Sequence, residues 1–172
     1  RATRYAAFVE QLKEPAGPPD VARGALTATA RTAGRRLRIL AEGDSWFEYP
    51  LRGLLMGDAV DGVIRQLERL LGYPIANMAH HGDEVRMMLS LNQRREITAR
   101  LSDPNVRFDA LLFSGGGNDL VGDQFCLWLK DAQPGMRPED VIHSDRLQAA
   151  LACVEAGYRD LISIRDQFSA ET

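Results

Sequence analysis

The chain has 172 residues, of which 45% are hydrophobic, and a formal net charge of -3 at pH 7. This length and composition suit one domain with a real core and are too small for two independent domains. The small negative charge excludes the broad basic surface that nucleic acid or an anionic membrane requires, so we expect neither partner.

The first predicted elements are a helix, a buried strand and a second helix. RYAAFVEQLKE has a helical pattern and PAGPPD breaks it, so we expect an N-terminal helix and approach segment over residues 1–36, peripheral to the rest. Leu37–Ala41 is mostly apolar, which predicts a strand covered on both faces. Helical spacing of apolar residues over Val63–Leu71 predicts a helix, with Asp61 as its cap and Gly72 at its end.

Strands and helices continue to alternate along the rest of the chain. PIANMA predicts a short second strand, and the segment 84–101 predicts one helix. FDALLFSG predicts the third strand, and it is the clearest of the three. Apolar residues at alternating steps of three and four over Leu147–Phe168 then predict a long amphipathic helix, with Ser144 as its cap.

This alternation predicts an α/β fold with a parallel sheet and helices on its faces. Three strands form a small sheet for this architecture, and the next element expected after the long helix is another strand. We therefore expect that the domain beginning at Leu37 continues beyond Thr172 and is incomplete at its C-terminal end.

Each predicted strand is followed by a polar corner that contains glycine: EGDSW, NMAHHGD and SGGGND. Ligands of open α/β sheets bind at the carboxyl ends of the strands. There, Ser45 after Gly43 can act as a nucleophile, Gly82 can expose its N–H, and the amide of Asn118 can donate to an oxyanion. Taken alone, each of the first two corners is more typical of an ordinary turn, whereas GGGND is more unusual.

Taken in order, the three corners resemble the motif blocks of the SGNH hydrolases, the GDSL-type esterase and lipase superfamily. GDS is similar to the first block, with Ser45 as the nucleophile. NMAHHG is similar to the second, with Gly82 supplying an N–H to the oxyanion, and GGND is similar to the third, with Asn118 as the side-chain donor.

The resemblance covers residues 37–172 and implies a three-layer α/β/α sandwich around a parallel, flavodoxin-like sheet. It also implies an esterase or lipase that acts on a small-molecule ester without a cofactor. Trp46 stands where the motif of this family has leucine, which changes the wall of the crevice rather than the chemistry.

The resemblance further implies a histidine base in a DxxH motif far downstream, because a serine hydroxyl needs a neighbour that removes its proton. Asp140–His143, DVIH, has this form but precedes the long helix, so we interpret it as a solvated loop. We expect the catalytic histidine beyond Thr172 or on a second chain. The 172 residues alone are then expected to be catalytically impaired.

Other polar residues near the corners have simpler interpretations. We expect His80 and His81 to pack or donate hydrogen bonds beside the second corner, where Asp83 is the nearest carboxylate. Asp44 and Asp119 are expected to accept N–H bonds from loop backbone rather than to transfer protons.

The remaining residue types point to core packing. We assign the aromatics that flank two corners to the core, namely Trp46, Phe47, Tyr49, Phe125 and Trp128. Cys126 and Cys153 are interpreted as partly buried thiols, since they form neither a disulfide framework nor a CxxC site, and no cluster has metal-ligand spacing. With no membrane-span or signal pattern visible, we expect a cytoplasmic protein, although the chain opens with Arg1.

The leading hypothesis is a serine ester hydrolase with an acyl-serine intermediate. Its oxyanion hole consists of the N–H groups of Ser45 and Gly82 and the Asn118 amide. Two alternatives stay open: an SGNH-like domain that binds an acylated or glycosylated ligand or a partner protein without turnover, and a flavodoxin-like module that binds a phosphorylated ligand.

Overall fold

The computed structural model describes residues 5–6, 8–10, 36–49 and 62–168. Its strands are β1 (Ile39–Gly43), β2 (Ala76–Asn77) and β3 (Ala110–Ser114), which form one parallel sheet in the order β2-β1-β3. After β1 the α-helices are α1 (Val63–Leu71), α2 (Val85–Met88), α3 (Leu91–Leu101), α4 (Gly117–Leu120) and α5 (Ser144–Phe168). Two 3-10 helices cover Asp123–Trp128 and Pro138–Val141. The predicted α/β class with a parallel sheet is confirmed.

β1 is the central strand, and all five of its residues are buried. Because side chains alternate along a strand, its two faces pack differently. Ile39 and Ala41 lie in one apolar cluster with Ile64 of α1, whereas Leu40 lies in a second cluster with apolar residues of α3 and α5. The prediction of a strand covered on both faces is confirmed.

The helix boundaries confirm some predictions and correct others. α1 ends as predicted, with Gly72 at φ 78° and its N–H bonded to the carbonyl of Glu68 at 2.8 Å. Asp61, the predicted cap, lies outside the described residues. α5 begins at Ser144, but the carbonyl of His143 accepts its first bond, from the N–H of Leu147, so the capping position falls on His143.

The single helix predicted over 84–101 is wrong, since the structure has α2 and α3 in its place. Leu89 leaves helical geometry, and Ser90 has extended backbone at φ -62° and ψ 162°. Serine favours the N-cap position of a helix over its interior, and Ser90 stands at the N-cap of α3, although its side chain makes no capping hydrogen bond.

The N-terminal residues that the structure describes are helical and contribute to the core. Phe8 is only 3% exposed, and its ring stacks on that of Phe108 with centroids 6.1 Å apart. Tyr5 donates its hydroxyl to Asp103 at 3.0 Å, and the Arg100 guanidinium lies over the Tyr5 ring. This helix was predicted to be peripheral, yet its apolar face packs against the sheet domain.

Two further observations concern the surface. Cys126 and Cys153 are free and exposed, so the prediction of partly buried thiols is wrong. Cys153 lies on α5 one turn before the buried Gly157, at a point of the helix where its side chain is exposed. Among the described helices, none is both long enough and apolar enough to cross a bilayer.

Candidate functional site

A tight turn organised by Asp44 follows β1. The Asp44 carbonyl accepts the N–H groups of Phe47 and Glu48, both at 3.1 Å, and its carboxylate Oδ1 accepts the N–H of Trp46 at 3.0 Å. Three successive N–H groups are thus bound to one residue. Ser45 is the residue directly after Asp44 and is partly exposed.

Asp44 is itself held by the end of the neighbouring strand. The carboxylate is 2% exposed and accepts a 2.9 Å hydrogen bond from the hydroxyl of Ser114, the last residue of β3. The predicted role of Asp44 as a brace for loop backbone is confirmed. Ser114 was not among the predicted site residues, although a hydroxyl side chain between a strand and a glycine run marks it in the sequence.

Glycine at position 43 permits this close approach of β1 and β3. Gly43 pairs with Ser114 in the sheet register, and a Cβ on Gly43 would lie 2.9 Å from the Ser114 carbonyl oxygen. That separation is too short for carbon and oxygen, so any larger residue would push the two strand ends apart.

The second corner is bonded to the first. The N–H of His80 donates to the carbonyl of Gly43 at 2.8 Å. The side chain of Asn77 donates to Glu48 Oε2 at 3.1 Å and accepts the N–H of Ala79 at 3.0 Å. The loop after β2 is therefore fixed against the turn that carries the candidate nucleophile.

Gly82 lies on the exposed side of this loop with φ at 81°, in the left-handed region. Apart from its two chain neighbours, none of the described residues has an atom within 4 Å of where its Cβ would be. Glycine is needed here for its backbone conformation rather than for space.

The third corner is bonded to the second. Asn118 donates from Nδ2 to the carbonyl of Asp83 at 2.9 Å, and Asp119 accepts the N–H of Val85 at 2.8 Å through Oδ2. The predicted bracing role of Asp119 is confirmed. Behind this corner, Tyr158 of α5 donates its hydroxyl to the carbonyl of Gly115 at 2.9 Å.

Each pair of corners is thus joined by at least one hydrogen bond at the same edge of the parallel sheet. The bonds join Gly43 to His80, Asp44 to Ser114, and Asp83 to Asn118. The structure brings the loops of all three predicted site residues together.

Several hydrogen-bond donors at this edge remain available to a ligand. Within the described part of the chain, neither the N–H and Oγ of Ser45 nor the N–H of Gly82 has a partner. The Asn118 amide has two hydrogens and uses one on Asp83. These are the donors expected of an oxyanion site.

The ring nitrogen Nδ1 of His80 lies near two oxygen atoms of the same loop. It lies 3.1 Å from the carbonyl oxygen of His81 and 3.8 Å from Oδ1 of Asp83. The two histidine rings stack with centroids 4.9 Å apart. The prediction that these residues pack and hydrogen-bond beside the second corner is confirmed for His80.

The DVIH segment has a different environment. Asp140 forms a two-point ion pair with Arg137, at 2.8 Å and 3.0 Å. His143 donates its N–H to the carbonyl of Trp128 at 2.6 Å, beside the antiparallel bridge between Leu129 and Ile142. The Asp140 carboxylate is thus paired with Arg137 and not with His143. This arrangement agrees with the predicted loop and does not form an Asp–His catalytic pair.

The core assignment of the flanking aromatics is wrong for three of them. Trp46 is 70% exposed, Tyr49 41% and Phe125 45%. Trp46 and Tyr49 follow the end of β1 within six residues, and Phe125 lies in the 3-10 helix Asp123–Trp128. Phe47 does pack against the Ile39 cluster, as predicted.

In the described ranges, no group of three or more His, Cys, Asp or Glu residues is arranged to hold a metal ion.

Comparison with protein-family models, curated proteins and solved structures finds no match to this chain.

Proposed function

We propose that this chain is a serine ester hydrolase of the SGNH type, with Ser45 as the nucleophile and a sheet that forms the middle layer of a three-layer sandwich. The observation that carries the proposal is the set of hydrogen bonds that join the three strand-end corners in pairs. The bond from His80 to Gly43 continues the pairing of β2 with β1, whereas the side-chain bonds from Ser114 to Asp44 and from Asn118 to Asp83 join the loops themselves. These side-chain bonds support a shared ligand site, because a nucleophile and its oxyanion donors must keep fixed relative positions.

In the first half of the reaction, Ser45 Oγ attacks the ester carbonyl carbon while a base takes the hydroxyl proton. The carbonyl π electrons move to oxygen and form a tetrahedral oxyanion. When that intermediate collapses, the bond to the alcohol breaks, and the leaving alcohol takes the proton back. Water then attacks the acyl-serine in the same way, which releases the acid and restores Ser45.

The oxyanion is held by the N–H groups of Ser45 and Gly82 and by the second hydrogen of the Asn118 amide. The bond from Asn118 to Asp83 supports this role because it fixes the amide plane before substrate arrives. A donor that is already oriented stabilises developing charge without reorganisation during the reaction.

The exposed aromatics that follow β1 support a substrate with an apolar part. Trp46 directly follows the nucleophile, and its side chain is 70% exposed. An indole face of this kind covers an acyl chain or the ring of an alcohol and removes both from water.

Hydrolysis of p-nitrophenyl acyl esters tests the proposal. With imidazole added to serve as the base, we expect turnover by the unchanged chain, no turnover above that of imidazole alone by Ser45→Ala, and unchanged turnover by Ser163→Ala, which alters an exposed serine on α5. Equal hydrolysis by Ser45→Ala would assign the activity to another group. Ligand binding by the unchanged chain without hydrolysis would favour the SGNH-like binding domain instead.

A further inference from the structure

Asp83 bonds to a proposed oxyanion donor through its backbone and to a separate helix through its side chain. Its carbonyl oxygen accepts Nδ2 of Asn118 at 2.9 Å. Its carboxylate Oδ2 accepts a hydrogen bond from Nε2 of Gln93, which lies in the first turn of α3. One residue therefore connects Gln93 to the Asn118 amide.

The break between α2 and α3 makes this contact possible. Asp83 and Gln93 are ten residues apart in sequence. In one unbroken helix over this segment they would be separated by roughly 12–15 Å, at a rise of about 1.5 Å per residue, which is farther than the two side chains reach. Because α3 starts anew after Ser90, its first turn meets the loop that precedes α2.

The loop around Asp83 is bonded to three other residues. The Asp83 side chain is only 14% exposed. Besides its bonds to Gln93 and Asn118, the N–H of Val85, two residues further on, donates to Oδ2 of Asp119 at 2.8 Å. A largely buried carboxylate depends on its donors, because little water reaches it to replace them. Loss of the Gln93 donor is therefore expected to move Asp83, whereas Val85 stays bonded to Asp119.

The direction of the Asn118 amide depends on where the Asp83 carbonyl lies. A side-chain amide has two hydrogens in one plane, so a bond made by one hydrogen fixes where the other points. In the proposed reaction the second hydrogen holds the oxyanion, and it does so best when it is oriented before the charge develops. A displaced Asp83 carbonyl turns this hydrogen away from the oxyanion.

We propose that Gln93 and the Asp83 carboxylate are positioning residues of the oxyanion site, which orient the Asn118 amide without touching the substrate. This inference rests on the proposed function. Gln93 holds the carboxylate, the fixed Asp83 residue holds its own backbone carbonyl in place, and the carbonyl orients the amide. No proton moves along these hydrogen bonds, so their effect on the reaction is geometric.

Hydrolysis of p-nitrophenyl butyrate by Gln93→Met tests this inference. All rates are measured with imidazole added as the base and are corrected for imidazole alone. Met keeps the length of the side chain and removes the donor. We expect Gln93→Met to lose roughly 10- to 100-fold in kcat with little change in KM, since a misplacement of about 1 Å costs up to ~10²-fold. Gln148→Met, which alters an exposed glutamine on α5, should keep kcat.

A double-mutant cycle separates positioning from a general loss of structure. If Gln93 acts through the Asn118 amide, adding Gln93→Met to Asn118→Ala should cost less than about threefold, because the two changes remove the same interaction. A loss by the same factor in both backgrounds overturns the inference, since the effect of Gln93 then does not pass through the amide.

Two variants of Asp83 test the carboxylate. Asn keeps an oxygen that accepts the hydrogen of Gln93, whereas Ala has no acceptor. We expect Asp83→Asn to keep more of kcat than Asp83→Ala, with thermal unfolding recorded for both. Equal kcat in the two variants contradicts a positioning role for this side chain.

The side-chain amide signals of Asn118 in nitrogen–proton NMR give a measurement that needs no turnover. Asn118→Ala identifies these signals by their absence. Gln93→Met should shift them, and Gln148→Met should leave them in place. Unshifted Asn118 signals in Gln93→Met overturn the inference whatever the rates are.

The outcomes separate this inference from the proposed function. Full turnover in Gln93→Met together with a loss in Asn118→Ala overturns the positioning role and leaves the proposed oxyanion site. Absence of turnover above that of imidazole alone in the unchanged chain overturns the proposed function and this inference together.

Discussion

The hydroxyl of Ser114 donates a 2.9 Å hydrogen bond to Oδ1 of Asp44, a carboxylate that is 2% exposed. The same oxygen accepts the N–H of Trp46 across the turn that contains Ser45. One buried acceptor thus connects the end of β3 to the geometry of the candidate nucleophile. A charge in this position depends on its donors, because water does not reach it to replace them.

Replacing Ser114 by alanine should destabilise the fold and slow ester hydrolysis. The variant leaves Asp44 with one donor fewer, and hydrogen bonds to charged groups contribute about 1.5–3 kcal/mol to the free energy of unfolding. Urea unfolding measures the loss, with Ser102→Ala, an exposed serine after α3, as the control. If both variants stay within ~0.5 kcal/mol of the parent, as neutral surface changes do, the bond has no structural importance.

Asn118→Ala should reduce kcat on p-nitrophenyl esters by ~10²–10³, the typical effect of removing one oxyanion donor. Asn92→Ala, on the exposed face of α3, should leave kcat unchanged. Because Asn118 also bonds to Asp83, thermal unfolding of both variants should be recorded. Turnover within twofold of the parent in folded Asn118→Ala would contradict the proposed donor.

Gly82→Ala and Gly72→Ala form a matched pair. Both glycines have positive φ, 81° and 78°, and in the described part of the chain no atom beyond their neighbours in sequence lies within 4 Å of where a Cβ would be. Left-handed backbone costs a residue with a Cβ about 1–2 kcal/mol, so both variants should lose similar stability in urea.

Only Gly82→Ala should slow hydrolysis, because its relaxed backbone turns a proposed oxyanion N–H away from the substrate. Gly72 ends α1, away from the strand-end corners. If kcat falls equally in the two variants, the effect is a general loss of stability and Gly82 is not a donor.

Tyr5 should make stability depend on pH at the alkaline end. Burial and the hydrogen bond to Asp103 raise the pKa of Tyr5 from 10.0 to about 12. Between these values the unfolded chain releases the proton and the folded chain keeps it. The contribution is therefore complete below pH 10 and is lost as pH rises toward 12.

Comparison with Tyr5→Phe isolates this contribution, because all other titrating groups are common to both proteins. The difference in free energy of unfolding should shrink between about pH 10 and about pH 12. Urea unfolding across this range measures it. A difference that does not change with pH would show that Tyr5 titrates alike in both states.

The sequence predicted the strands because their apolar runs and flanking glycines are local signals. It also predicted the end of α1 at Gly72, where a left-handed residue is needed. The break at Ser90 was missed, because apolar spacing continues across it and only the preference of serine for a helix start marks it.

At the site, residue type predicted which residues lie at the strand ends and that Asp44 and Asp119 brace backbone. It did not predict the links between loops. The bonds from Ser114 to Asp44 and from Asn118 to Asp83 join residues distant in sequence, so only the folded sheet defines them. Exposure of Trp46 was likewise missed, since an aromatic after a strand has the same local pattern whether helices cover it or not.

The most direct test of the central claim is reaction of the chain with a fluorophosphonate probe, followed by mass spectrometry of the peptides. Such probes phosphonylate a serine only where its hydroxyl is activated. We predict one adduct, on Ser45, that is absent from Ser45→Ala and present in Ser163→Ala. No adduct, or an adduct on another serine that persists in Ser45→Ala, would contradict a Ser45 hydrolase.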